Sequence, residues 1–266
     1  MRRNNMFWGV VLVFAGALAL LGTMGLLPVN FWQLFWPGLL VILGIWVLLG
    51  PKLFHGETLK TEDVSIPVDN ATEAEIHFNH GAGRFLVDAQ TNPGLLLSGS
   101  FGGGVRQDLR RYDNRLKLRL ETPSNTWWGF PWTGPRYGLE WKLSLSRDLP
   151  LKLVFHTGAS ESLLNLSELR VVELRIETGA SSTEVTLPGN AGTTRVDVEA
   201  GAASVKLRLP DGVAGRIRIE SGLSGKNVDT SRFPYNGRFY ETPGFDTATN
   251  RAEIVVKTGV GSIDVH

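Results

Sequence analysis

The sequence predicts a two-helix transmembrane hairpin followed by an all-β repeat domain, with a β-sandwich as the alternative form of the second part. Three observations predict this. No charged residue stands between Arg3 and Lys52. From about Glu73 onward, apolar residues alternate with polar ones at period two, which is the pattern of strands. A short block with a central glycine then recurs, three successive spacings being 21, 22 and 21 residues, as in stacked repeat architectures.

The hairpin rests on length. Met6 to Leu27 and Phe31 to Gly50 are apolar runs separated by Pro28-Val29-Asn30. At about 1.5 Å rise per residue each spans a hydrocarbon core of about 30 Å. A secretory signal peptide has a shorter apolar stretch and no second run behind it. Trp8 and Trp46 fall near the charged end, and Trp32 and Trp36 near the turn. Indole rings favour the headgroup level, so these four read as interface anchors. Arg2, Arg3 and Lys52 flank the runs and the turn carries no basic residue. The positive-inside rule then places both termini in the cytoplasm, in a two-pass integral membrane protein. The chain divides into a basic tail (1–5), the hairpin (6–51), a linker (52–72) and the β domain (73–266).

Aligned on the recurring glycine, six blocks form columns. The glycines are Gly81, Gly158, Gly179, Gly201, Gly222 and Gly259. Five positions earlier stand Ile76, Leu153, Leu174, Val196, Ile217 and Ile254; three earlier stand Phe78, Phe155, Ile176, Val198, Ile219 and Val256. Each block therefore reads as two short strands joined at a glycine corner, where a positive φ and the lack of a Cβ permit a sharp bend. One block cannot bury its apolar face alone, so neighbours must cover it. Stacked in chain order, Arg175, Asp197 and Arg218 form a ladder of alternating sign, and Glu177, Glu199 and Glu220 a ladder of like charge.

Residues Thr91 to Pro150 interrupt the repeat. Arg115 to Leu120 and Glu140 to Leu145 read as two further strands. Between them, around 121–139, lies an aromatic insert, free of charge from Thr122 to Pro135, with Trp127, Trp128, Phe130, Trp132 and Tyr137. It caps the stack or contacts the membrane or a partner, because exposed aromatic patches mark interaction sites.

No catalytic constellation is present in the sequence. With no cysteine there is no thiol chemistry and no Cys-based metal site. The five histidines lack metal-ligand spacing, and the glycine stretch at Gly102, Gly103 and Gly104 is not followed by the Lys-Ser/Thr of a phosphate loop. The expectation is a non-enzyme without cofactor or metal. A net charge of +1 offers no field for nucleic acid, and apolar runs free of charge argue against an ion pathway.

The runs FWGVVLVFAGALALLG (7–22) and LFWPGLLVILGIWVLL (34–49) resemble the two-helix membrane region of LiaF-like and LiaI-like proteins of the bacterial cell envelope. LRIETGASSTEV (174–185) and VVKTGVGSIDV (255–265) resemble the toast-rack, adhesin-like β domain that often follows it. The resemblance implies a non-enzymatic bacterial membrane protein of the envelope-stress response. Its expected partners are the lipid bilayer and a membrane or cytoplasmic signalling protein, for example a sensor histidine kinase. Self-association is compatible with the sequence. The other reading is an adhesin-like or envelope-structural module outside the membrane.

Overall fold

The computed structural model describes residues 61–123 and 139–266. The two apolar runs, Trp8, Trp32, Trp36, Trp46, Arg2, Arg3 and Lys52 lie outside the described residues, as do Trp127, Trp128, Phe130, Trp132 and Tyr137. Among the described residues no helix is long and apolar enough to cross a membrane.

Six long strands carry the recurring blocks: β2 (Glu73–Ala89), β7 (Leu151–Asn165), β8 (Val171–Thr186), β9 (Thr193–Arg208), β10 (Ala214–Val228) and β12 (Arg251–Val265). They stack in parallel in the order β2-β7-β8-β9-β12-β10. Each is a bent rung with two arms that meet at the corner glycine. Along the first arm the columns five and three positions before the glycine turn inward, and all but the half-buried Ile219 are buried. Along the second arm the inward positions include Phe85, Val185, Val205, Leu207, Ile263 and Val265, again buried. The arms face one another across a single core. Phe78 on the first arm of β2 meets Phe85 on its second arm edge-on at 5.2 Å, and Phe78 stacks on Phe155 of the next rung at 4.7 Å. The repeat and the sandwich descriptions therefore meet in one object, with two facing layers built from the same folded strands.

The remaining strands finish the end beyond β2. They are β1 (Thr61–Pro67), β3 (Leu95–Gly102), β4 (Arg106–Tyr112), β5 (Arg115–Glu121) and β6 (Glu140–Leu145), while β11 (Tyr240–Glu241) lies at the opposite end. β5 pairs in parallel with the first arm of β2, from Glu73↔Arg115 to Asn79↔Glu121. β6 pairs in parallel with its second arm, from Arg84↔Glu140 to Ala89↔Leu145. Together β5 and β6 are one more rung, so the stretch expected to interrupt the repeat continues it. In β8 four residues (178–181) separate the positions equivalent to Glu121 and Glu140, whereas here residues 122–139 do so. Residues 122–139 thus connect the two arms of this rung, where four residues suffice in β8. β4 and β3 close the two arms by antiparallel pairing, and β1 pairs with β3.

Two expectations need correction. The sheet opens at Thr61 and not at Glu73: the span taken as linker holds β1, whose Val64 and Ile66 are buried. The stack also departs from chain order, because β12 lies between β9 and β10. The five-residue link 209–213 carries the chain from β9 past one rung position to β10, and the 22-residue connection after β10, which includes the buried Phe233, brings it back to the skipped position as β12.

Candidate functional site

The corners of the rungs line up as a ridge. None of the six corner glycines has a positive φ; the left-handed values fall two residues later, at Gly83 (139°) and Gly261 (142°). The corner glycines are required by closeness instead. A Cβ on Gly158 would stand 2.4 Å from the carbonyl oxygen of Gly81, and one on Gly222 2.7 Å from that of Gly259. Backbone lies on backbone from rung to rung, and only a residue without a side chain fits. The residues just after the glycines are small or apolar, ending in Val260 and Leu223, which are 53% and 82% exposed.

A groove of about 1170 Å³ runs beside this ridge. One wall is the column two positions before the glycines, which the strand order arranges as Glu121, Asn79, His156, Glu177, Glu199, Lys257 and Glu220. The expected like-charge ladder is therefore broken. Glu177 and Glu199 remain neighbours, but Lys257 stands between Glu199 and Glu220 because β12 intervenes. The Lys257 ammonium donates to Glu199 at 2.9 Å, holding the Glu199 carboxyl below and the Lys257 amine above their ordinary ranges. Glu177 is paired twice, with His156 at 2.9 Å and with Arg175 at 2.7 Å. Asn79 donates to Glu121 at 3.0 Å. The alternating ladder is altered in the same way: Arg175 faces Asp197, but Val255 separates Asp197 from Arg218. Its charge at Arg175 is spent on Glu177 along the same strand.

At the end of the groove near β5 lies a buried polar cluster that sequence reasoning missed. His80 is 2% exposed, packed against Trp141 at 4.7 Å and Phe85 at 5.9 Å. Neither ring nitrogen of His80 has a partner at hydrogen-bonding geometry, nor has Trp141 Nε1 or Thr122 Oγ1. Burial pushes the His80 pKa down from 6.5 to about 4, against a small opposing pull from the backbone of Leu139. The ring is neutral at pH 7. The signal in the sequence was slight: the same column holds Thr157, Thr178, Ala200, Ser221 and Thr258, so a histidine there is the exception. The other described histidines each meet a carboxylate: His77 with Glu75 at 2.5 Å, His156 with Glu177, and His266 with Asp264 at 2.9 Å. Among the described residues no group of three His, Asp or Glu side chains is placed to hold a metal ion.

This is a corner-bent, stacked-rung β domain of the kind called a toast rack, placed behind a membrane region. Residues 55–208 match the N-terminal domain of toast_rack, DUF2154, and residues 6–48 match the LiaI-LiaF-like transmembrane region. The chain belongs to the toast-rack family. Among solved structures it is similar to a putative cell adhesion protein from Clostridium sporogenes ATCC 15579, with a TM-score of 0.70 and 19% identity over 77% of this chain and 98% of that one. At that identity the likeness concerns the fold. A putative adhesin from Bacteroides fragilis NCTC 9343 aligns over 78% of this chain and 97% of its own at 12% identity, with a TM-score of 0.27. No curated protein matches the chain.

Proposed function

We propose that this chain is a non-enzymatic accessory or regulatory component of a bacterial membrane. It acts in the cell-envelope stress response by protein–protein contact, for example with a sensor histidine kinase. The observation that carries the reading is the order of parts: a LiaI-LiaF-like membrane region at 6–48 directly before a toast-rack domain from 55. The chemistry of the described residues agrees with a contact role. Charged side chains of the groove wall are largely neutralised by one another, and the buried His80 is neutral and aligned with no nucleophile. The contact element is the insert at 122–139, which joins the two arms of its rung through 18 residues where β8 uses four. An aromatic sequence whose single charged residue is Arg136 suits a protein or lipid surface.

The test is topology, with a C-terminal reporter active only outside the cytoplasm paired against one active only inside. A cytoplasmic C-terminus is expected, from Arg2, Arg3 and Lys52. In that background, residues 122–139 would be replaced by the Thr-Gly-Ala-Ser corner of β8. Loss of partner crosslinking with the fold retained is the expected result. A C-terminus outside the membrane would overturn the reading and favour an adhesin-like displayed module.

A further inference from the structure

β10 leaves the stack half finished. Its whole length pairs with β12, but on its other flank β11 covers only Arg216 and Ile217. From Arg218 to Val228 that flank has no strand partner among the described residues. The direction of its peptide groups is fixed at both ends. The Gly215 carbonyl accepts from Thr242 N–H on the β11 side, while Asp229 N–H donates to Val265 on the β12 side. Strand alternation, with its phase reset at the corner, then aims the N–H and C=O of Ile219, Ser221, Lys226 and Val228 at the open flank. A free edge of this length is a template for another strand.

We propose that the open flank of β10 binds the same flank of a second copy of this chain, antiparallel, across a two-fold axis through the corner. The free stretch is nearly symmetric about that corner, so reversing the strand lays the first arm of one copy along the second arm of the other. Faces are preserved only in registers that set inward residues opposite inward residues, since a one-residue slip turns every side chain to the other side.

One such register fits. It sets Ile219 against Val228 of the second copy, two half-buried apolar side chains. It sets Ser221, whose Oγ is buried without a partner, against the exposed Lys226 ammonium of the second copy. On the outer face it sets Arg218 against Asp229 and Glu220 against Asn227. Each pair occurs twice by symmetry. Sliding by two residues one way puts Val228 opposite Ile217, where β11 already lies. Sliding by two the other way puts Glu220 opposite Asp229, two like charges. Leu223, 82% exposed at the corner, comes beside the axis, diagonal to its counterpart. Lys226 occupies an inward column that holds Val205 and Ile263 in the neighbouring rungs. An inward charge on an edge deters indiscriminate strand pairing, and in this register alone it gains an acceptor.

The chain has no cysteine, so Glu220→Cys and Asn227→Cys are each unique thiols. They would be introduced into separately tagged full-length chains, co-expressed, and oxidised in the membrane. Outer-face pairs in this register are the close, non-hydrogen-bonded kind, with Cα atoms about 4.5 Å apart, which suits a disulfide. The mixed crosslink, joining the Glu220→Cys chain to the Asn227→Cys chain, is expected in several-fold excess over the crosslink of either variant with itself. Arg218→Asp should weaken self-association of the purified full chain about tenfold, and adding Asp229→Arg to it should restore it. A chain monomeric by light scattering at tens of micromolar would overturn the proposal. So would dimers without bias for the mixed crosslink, which mark association through the apolar N-terminal runs, or a charge reversal without effect.

Discussion

The carbonyl oxygen of Gly81 lies 2.4 Å from the point that a Cβ on Gly158 would occupy. The same relation repeats along the ridge, at 2.9 Å for Gly179 on Gly158, 2.9 Å for Gly201 on Gly179 and 2.8 Å for Gly259 on Gly201. Both parties are backbone, so the contact cannot be relieved by a rotamer change. Gly158→Ala must push β7 away from β2 and break the ladder on either side of the corner. A loss of about 1–3 kcal/mol is expected, the scale of overpacking in a filled interior. Gly179→Ala should cost less, its clash being half an ångström milder. Gly225→Ala is the control: no atom lies within 4 Å of its Cβ position, and a change within about 0.5 kcal/mol is expected. Chemical denaturation of the three variants ranks them.

The inward columns were legible because burial leaves a period-two trace that any register preserves. Ile76, Leu153, Leu174, Val196, Ile217 and Ile254 lie side by side in the core as their alignment implied. The order of rungs was not legible. Parallel blocks with interchangeable columns carry no local mark of which neighbour each takes, so the move of β12 between β9 and β10 leaves no trace in composition. β4 escaped for the opposite reason: every residue from Arg106 to Tyr112 is exposed, and a strand with no buried face has no period. The corner glycines were found for a reason that the φ angles do not support. Sequence spacing marks where a side chain is absent, but not whether rotation or contact forbids it.

His80 makes the stability of the domain sensitive to pH on the acid side. Its folded pKa is about 4 and its ordinary value 6.5, so between these limits the unfolded chain binds the proton more readily. Above pH 6.5 both states are neutral and the group has no effect on stability. As pH falls from 6.5 to about 4 stability declines, by up to roughly 3 kcal/mol for a shift of this size. Below pH 4 the contribution levels off. His80→Leu removes the titration and two unpaired buried nitrogens at similar volume. It should be at least as stable as the parent at pH 7 and lack this decline, as thermal unfolding at pH 7, 6, 5 and 4.5 would reveal. An equal decline in both proteins would assign it to other groups.

Lys257 is the residue whose meaning the strand order changed. In chain order it follows Glu220 and would stand at the end of the acidic row; in the structure it separates Glu199 from Glu220. It donates to Glu199 at 2.9 Å and feels the charge of Glu220 and Asp197 as well. Lys257→Glu would place four carboxylates on adjacent strands, Glu177, Glu199, the new glutamate and Glu220, at a spacing of about 4.8 Å. Like charges directly opposite one another on paired strands are destabilising. The groups are solvent-facing, so the effect is screened by salt. A lowered melting temperature is expected in dilute buffer, largely recovered at about 1 M salt. Lys257→Met tests the same arrangement with the charge removed and the apolar stem kept, and it should fall between the parent and Lys257→Glu. If β10 instead stacked directly on β9, position 257 would face one carboxylate, Glu220, and not two, so the loss on charge reversal and its recovery in salt would be roughly halved.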